Sequence, residues 1–267
     1  MSVRVCWLTD LHLNMVSSGE VEKFAAGVVA RRPDAVLIGG DTSESKDLID
    51  QLARLARLLR VPVYFVLGNH DYYYGSIEIV RQRVETLCAR EPSLVYLSAA
   101  NVATLSPQVG LVGHDGWADG RLADYFASSV MMNDDFLIAE LIGLTRAARW
   151  ERLKGLADEA AEHIRRVLPP ALERFPRVIL LTHVPPFREA CWYAGEISND
   201  DWLPHFTCQA VGEAIREVMH DFPTRQLTVL CGHTHGRGEA HPLANVQVLT
   251  GGAEYGRPEI QRVFELD

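Results

Sequence analysis

Five short stretches of this chain carry side chains that could do chemistry together. They are Asp10-Leu11-His12, Gly40-Asp41, Gly68-Asn69-His70-Asp71, His183 and Gly232-His233-Thr234-His235. Taken singly, each is ordinary turn material, since Gly, Asn and Asp are favoured where a chain reverses. Together they offer at least three imidazoles, two carboxylates and an amide oxygen. Such a mixed N/O set suits Mn²⁺, Fe²⁺ or Fe³⁺, Co²⁺ or Zn²⁺ rather than a thiolate or iron–sulfur site. No Cys stands among these residues. Side chains two apart on an extended segment point the same way, so Asp10 with His12, and His233 with His235, can each aim two groups at one centre. There are too many donors for one ion, which points to two.

Each stretch must be carried by something that brings it to the others. Residues 3–8, 35–38, 63–67, 178–181 and 227–231 read as short apolar strands, and each runs directly into one of the polar stretches. Between the first three lie helical patterns. Ser17 with Glu20 forms a candidate capping box, followed by Val21, Phe24, Val28 and Val29 on one face. Leu48, Leu52, Leu55 and Leu59 recur at helical spacing, and a third helix is expected over 77–89. Short buried strands alternating with amphipathic helices imply a largely parallel, covered sheet. In such sheets ligands collect at the carboxyl ends of the strands. Gly68 is read as the residue that lets the third strand turn sharply into Asn69, His70 and Asp71.

Further strands are expected at 95–97, 102–105, 109–112, 246–249 and 260–264, and helices at 136–144, 149–168 and after Thr207. Pro169-Pro170 should interrupt the second of those helices. Residues 114–147 read as an insertion over one sheet edge, a candidate lid. The loop from 184 to 207 is long, and loops of that length are usually functional or disordered; its Phe187, Trp192, Tyr193, Trp202 and Phe206 favour packing over disorder. With no repeat, linker or low-complexity segment, residues 1–267 are expected to form a single domain.

The totals narrow the function. The 267 residues are 48% hydrophobic and 23% charged, as in a globular protein. A net charge of −9 argues against a broad nucleic-acid face. Cys6, Cys88, Cys191, Cys208 and Cys231 are odd in number and form no CxxC pair, which fits a reduced, cytoplasmic setting. No apolar run is long enough to cross a bilayer, and the strand that follows Met1 leaves no room for a signal peptide ahead of Asp10.

In order and in content, the five stretches resemble the motif blocks of the calcineurin-like metallophosphoesterases, and they span residues 10 to 235. The resemblance implies a four-layer α/β/β/α sandwich with two mixed sheets. It also implies two metal ions. Asp10, His12 and His235 would hold one, Asn69, His183 and His233 the other, and Asp41 would bridge them. His70 would then act near the leaving oxygen as a cationic or hydrogen-bonding group, with Asp71 orienting it. Two cations about 3.5–4 Å apart share a hydroxide near neutral pH. In-line attack on a phosphomonoester or phosphodiester would follow, with His70 as candidate proton donor.

The chain departs from one branch of the family. The purple acid phosphatases place a tyrosine ligand three residues after the bridging Asp, where this chain has Glu44. Nor is there a basic stripe of the kind that would serve a nuclease. A small phosphoester is the expected substrate, with no membrane partner. Arg188 is a candidate phosphate contact, and His114, Trp117 and Tyr72 to Tyr74 are candidates to line the cleft. His163 and His220 are read as structural. Two other functions fit the same residues: a metal-binding scaffold without turnover, and a dinuclear hydrolase of non-phosphorus esters.

Overall fold

The computed structural model describes residues 2–267. Strand β1 (Val3–Leu8) leads to helix α1 (Ser18–Val29), β2 (Ala35–Gly39) to α2 (Leu48–Leu59), and β3 (Val63–Val66) to α3 (Ile77–Arg90) and the short β4 (Leu94–Tyr96). The Ser17 side chain and the Glu20 carboxylate cap α1 reciprocally, as the sequence implied. Then come β5 (Ala103–Ser106), β6 (Val109–His114), a single turn α4 (Asp134–Leu137), the long α5 (Arg146–Arg174) and β7 (Arg177–Thr182). The loop after β7 holds a hairpin, β8 (Trp192–Tyr193) with β9 (Glu196–Ile197), and one turn of helix, α6 (Leu203–Phe206). The chain ends with α7 (Gln209–Asp221), β10 (Gln226–Cys231), β11 (Gly238–Leu243), β12 (Val246–Thr250) and β13 (Arg262–Leu266).

Two mixed sheets form, in the orders β13-β1-β2-β3-β4 and β11-β12-β10-β7-β6-β5. Within each, the central strands are parallel and an outer strand, β13 or β5 and β11, runs antiparallel. Val5, Leu37, Val66, Leu111, Leu181 and Leu230 fill the space between the sheets. The opposite face of the first sheet packs on α1, α2 and α3, through Val21, Leu52 and Val80. The second packs on α5 and α7, through Ile164, Leu168 and Ile215. The result is the expected four-layer α/β/β/α sandwich. Among the described residues, no helix is long and apolar enough to cross a membrane.

Two local expectations need correction, and one strand is new. Helix α5 continues through Pro169-Pro170 to Arg174. The pair removes backbone donors, but Leu168, Ala171 and Leu172 on either side are fully buried, and that packing holds the last turns helical. The helix expected over 136–144 is only the turn α4. Ile138 leaves the helical region at φ −106°, ψ 122°, pairs with Gly75 and is fully buried. Strand β11 was not foreseen, because it is an edge strand with little of its surface buried.

Candidate metal centre

The carboxyl ends of β1, β2, β3, β7 and β10 meet at one edge, and backbone hydrogen bonds tie their loops side by side. Asp10 N donates to Gly40 O at 3.0 Å, His12 N to Asp41 O at 2.9 Å, and Gly232 N to His183 O at 2.8 Å. Five of the seven candidate ligands hold a left-handed backbone: Asp10, His12, Asp41, His233 and His235 have φ of 51°, 43°, 50°, 70° and 58°. Non-glycine residues rarely adopt this region. Each costs about 1–3 kcal/mol and persists only where its surroundings over-determine it. Here the loop-to-loop hydrogen bonds do so. Gly68, read from sequence as the turn-maker, is not left-handed. A Cβ there would collide with the Asp41 carboxylate and the His183 ring, so the requirement is for close approach. A Cβ on Gly232 would likewise strike Asp10.

Two groups of donors result. Asp10, His12, Asp41 and His235 each place one ligand atom within 4.8 Å of the others. His12 Nε2 lies 3.1 Å from His235 Nε2 and 3.8 Å from Asp41 Oδ2, and His235 Nε2 lies 3.5 Å from Asp10 Oδ1. In the second group, Asn69 Oδ1 is 3.1 Å from His183 Nε2 and 3.0 Å from His233 Nδ1. His183 Nε2 is 3.5 Å from Asp41 Oδ1. Asp41 thus turns Oδ2 toward one group and Oδ1 toward the other.

The donors are held from behind. His183 Nδ1 lies 2.9 Å from Gly39 O, and His233 Nε2 lies 3.0 Å from His205 O. Each ring can donate there and keep its other nitrogen free as a ligand. Thr9 Oγ1 donates to Asp10 Oδ2 at 2.6 Å, and the backbone N–H of His233 donates to Asp10 Oδ1 at 3.0 Å. Asn69 Nδ2 donates to Asp134 Oδ1 at 2.8 Å, which aims Asn69 Oδ1 at the two imidazoles.

The electrostatics fit cations. Asp10 and Asp41 are buried, and among the described residues their ion-pair partners are imidazoles. Burial would push the Asp41 carboxyl up, but His183, His70, His12 and His233 around it hold it well below the usual carboxylate range. Burial raises Asp10. It lowers His12 and His233 to about 3, so both rings are neutral ligands near pH 7. For His183 burial acts downward, and the Asp41 and Asp10 carboxylates override it and raise the ring. The two carboxylates face the lone pairs of His12 and His233, which carry no charge near pH 7, and draw the His183 ring toward its cationic form; this donor set suits a borderline divalent ion.

The other sequence-derived residues divide. His70 stands beside the centre: its backbone N–H donates to Asp41 Oδ1 at 2.9 Å, and its ring lies 4.6 Å from that of His12. Its Nδ1 is buried without a partner. Asp71 does not orient it. The Asp71 carboxylate faces back into the turn and accepts from Ser43 N at 2.9 Å and Gly68 N at 2.8 Å, fastening the β2 loop to the β3 loop. His114 does not line the cleft. It is buried at the end of β6 against His163, where burial lowers it to about 3. Arg188 turns outward to Asp200 at 2.8 Å and borders a different cavity with Phe187 and Arg216. Trp117 and Tyr72 pack on each other in the interior, and Tyr74 is exposed. Only Tyr73 of the three tyrosines reaches the site.

Sequence reasoning missed Asp134, Tyr255 and the carbonyl of His205. Asp134 also accepts from Tyr73 Oη at 2.8 Å. Tyr255 covers the first group, its ring 4.6 Å from His12 and 4.9 Å from His235. Asp41, Asn69, His233 and His235 open into a cavity of about 320 Å³, lined also by His70, Tyr73, Met131, Trp202 and Phe206.

Known proteins share sequence features and the fold of this chain. Residues 3–237 match the family model of the calcineurin-like phosphoesterases. A transmembrane protein with a metallophosphoesterase domain from Danio rerio is 33% identical over 82 residues, which is 28% of this chain and 18% of that protein. An uncharacterised metallophosphoesterase of Campylobacter jejuni is 30% identical over 82 residues, 29% of this chain and 22% of that one. The matched stretch thus spans about a fifth of these relatives. In fold, the chain is similar to the phosphopantetheinyl hydrolase of Mycobacterium tuberculosis, with a TM-score of 0.67 at 16% identity over 99% of this chain and 96% of that one. It is also similar to a dimetal phosphatase from Danio rerio, with a TM-score of 0.58 at 15% identity over 94% and 87%. With its five motif blocks converging on one sheet edge, the chain belongs to the calcineurin-like phosphoesterases.

Proposed function

We propose that this chain hydrolyses a small phosphoester with the help of two metal ions. The first would be held by Asp10, His12 and His235, the second by Asn69, His183 and His233, and both by Asp41. The observation that carries the reading is the Asp41 carboxylate, which offers one oxygen to each donor group. Manganese, iron, zinc and cobalt all suit the set. When bound, such a pair supplies a hydroxide nucleophile near neutral pH and positive charge for the phosphoryl oxygens.

The chain's own residues do the rest. The Gly39 and His205 carbonyls fix the rings of His183 and His233. Asp134 fixes the Asn69 amide. His70, partly exposed at the mouth, reaches the cavity and is the candidate donor of a proton to the leaving oxygen. Residues 131–133 of the 114–147 insertion line the cavity, which supports reading the insertion and the site as one domain. All five cysteines are free thiols, which supports a reduced, cytoplasmic setting.

The experiment is metal analysis joined to turnover. Full-length chain reconstituted with manganese should hold about two ions, and Asp41→Asn should lose metal and phosphoester hydrolysis together. Saturation at one ion, or full activity in Asp41→Asn, refutes the bridging role. Hydrolysis of aryl carboxylates but not aryl phosphates would move the chemistry off phosphorus.

A further inference from the structure

The cavity continues past the metal ligands along an aromatic wall. Phe206 meets the ring of His233 edge-on, with centroids 5.4 Å apart. Trp202 stacks on Phe206 at 5.0 Å, and Tyr193 stacks on Trp202 at 5.6 Å. The wall therefore starts at the second donor group and runs outward. Met131 and Met132 line the same cavity, and Met132 packs against the cluster that holds Phe206. Tyr193 is 44% exposed and Met131 69%. Open aromatic and thioether surface beside buried carboxylates needs a reason, because such groups are most useful where something apolar is set down on them.

Charge limits what that something is. Among the described residues, no Arg or Lys lines the cavity. Arg188, in the same loop as the wall, is turned away to Asp200. A second anionic group on the substrate would find no cation here beyond the two metal ions. His70 lies elsewhere in the cavity: its ring is 4.2 Å from Tyr73, 4.6 Å from His12 and 6.1 Å from Tyr255, by the first donor group. The candidate proton donor and the wall thus flank different sides of the place a phosphate would occupy. The wall is left to the substituent that stays on phosphorus.

We propose that Tyr193, Trp202 and Phe206 form a subsite for a planar or apolar group that remains esterified to phosphorus. The substrate is then a singly charged phosphodiester carrying such a group, rather than a monoester or a polyanionic nucleotide. This rests on the phosphoesterase reading above and adds the substrate class to it. A monoester has only its leaving group, which lies on the His70 side, whereas a retained aryl or similarly flat substituent covers Tyr193 and Trp202 and removes their apolar surface from water.

The test uses manganese-loaded full-length chain and three esters with one leaving group: phenyl p-nitrophenyl phosphate, methyl p-nitrophenyl phosphate and p-nitrophenyl phosphate. The phenyl diester should exceed the methyl diester in kcat/KM by about tenfold or more, and the monoester should be the poorest. That ratio should fall below about threefold in Trp202→Ala and Tyr193→Ala and largely persist in Trp202→Phe, which keeps a ring to stack on. Equal rates for the two diesters, or a ratio untouched by the variants, overturns the subsite and leaves the phosphoesterase reading standing. If no ester turns over, that reading falls, and calorimetry with diphenyl and dimethyl phosphate decides the subsite by itself. Tighter binding of the diphenyl ester that is lost in Trp202→Ala upholds it, and equal binding overturns it. Self-association or vesicle binding that disappears in the variants, with the phenyl-to-methyl ratio intact, makes the wall a docking face and also overturns the proposal.

Discussion

Asp134 offers a sharp test of how the second donor group is held. Its Oδ1 is the acceptor for two neighbours, Asn69 Nδ2 and Tyr73 Oη, each at 2.8 Å. Without it the Asn69 amide has one remaining partner for that nitrogen, the Tyr73 hydroxyl at 3.1 Å, which has itself lost its acceptor. Leaving a buried polar group short of a partner costs about 1–3 kcal/mol. Hydrogen-bond partners that orient metal ligands are worth about 10–100-fold in metal affinity. The two ranges agree, since a factor of ten is about 1.4 kcal/mol. Asp134→Ala should therefore weaken one of two manganese-binding steps by about 10–100-fold and leave the other within about threefold. Calorimetric titration of the metal-free chain reads both steps directly. Asp134→Asn keeps a carbonyl oxygen in place and should retain most of the affinity. Tyr73→Phe removes a donor and leaves Asn69 tethered, so it should lose little. Equal weakening of both steps, or none, refutes the assignment of Asn69 to a separate second centre.

Two further expectations follow from the same geometry. His70→Ala should keep its metal content while turnover falls about 10²–10⁴-fold, more steeply for poor leaving groups than for nitrophenol; equal loss across a phenol series would remove the proton-donor role. The metal-free chain should lose thermal stability on acidification, because burial lowers His12 and His233 to about 3 and His205 to about 4. A folded-state pKa below the unfolded value near 6.5 means the unfolded chain binds more protons in between. This stabilisation is complete above about pH 6.5 and is lost progressively as pH falls through about 4 to about 3. A flat unfolding midpoint across that window, read by differential scanning calorimetry, contradicts buried neutral imidazoles.

The donors and the architecture were legible because both rest on local pattern. Asp10, His12, Asp41, Asn69, His183, His233 and His235 each follow an apolar run, and strand ends in covered sheets collect at one edge. What lay further out was not legible. Asp71 sits next to His70 in sequence, yet its carboxylate turns inward to Ser43 and Gly68, a direction that only the folded turn sets. His114 closes a strand much as the candidate ligands follow theirs, but its strand ends against α5, and the ring is buried on His163. Asp134 and Tyr255 carry no motif. They reach the site because an irregular stretch and a strand-to-strand loop happen to pass over it, and neither path has a periodicity to read. Helix α5 resisted for the opposite reason: the local signal of Pro169-Pro170 was strong, and long-range burial overrode it.

The donors also have an order in time. Asp10, His12, Asp41 and Asn69 come from the first sheet, made early in synthesis, whereas His183, His233 and His235 come from the second. A nascent chain that has formed β1, β2 and β3 carries both buried carboxylates with none of the three later imidazoles that face them. That half-site is electrostatically unbalanced until β7 and β10 dock. The contacts that balance it span more than 140 residues, from Asp41 to His183 and from Asp10 to His235. Pairings that distant form late and slowly. The left-handed turns at Asp10, His12 and Asp41, which need those neighbours to hold them, should therefore be among the last parts of the backbone to settle.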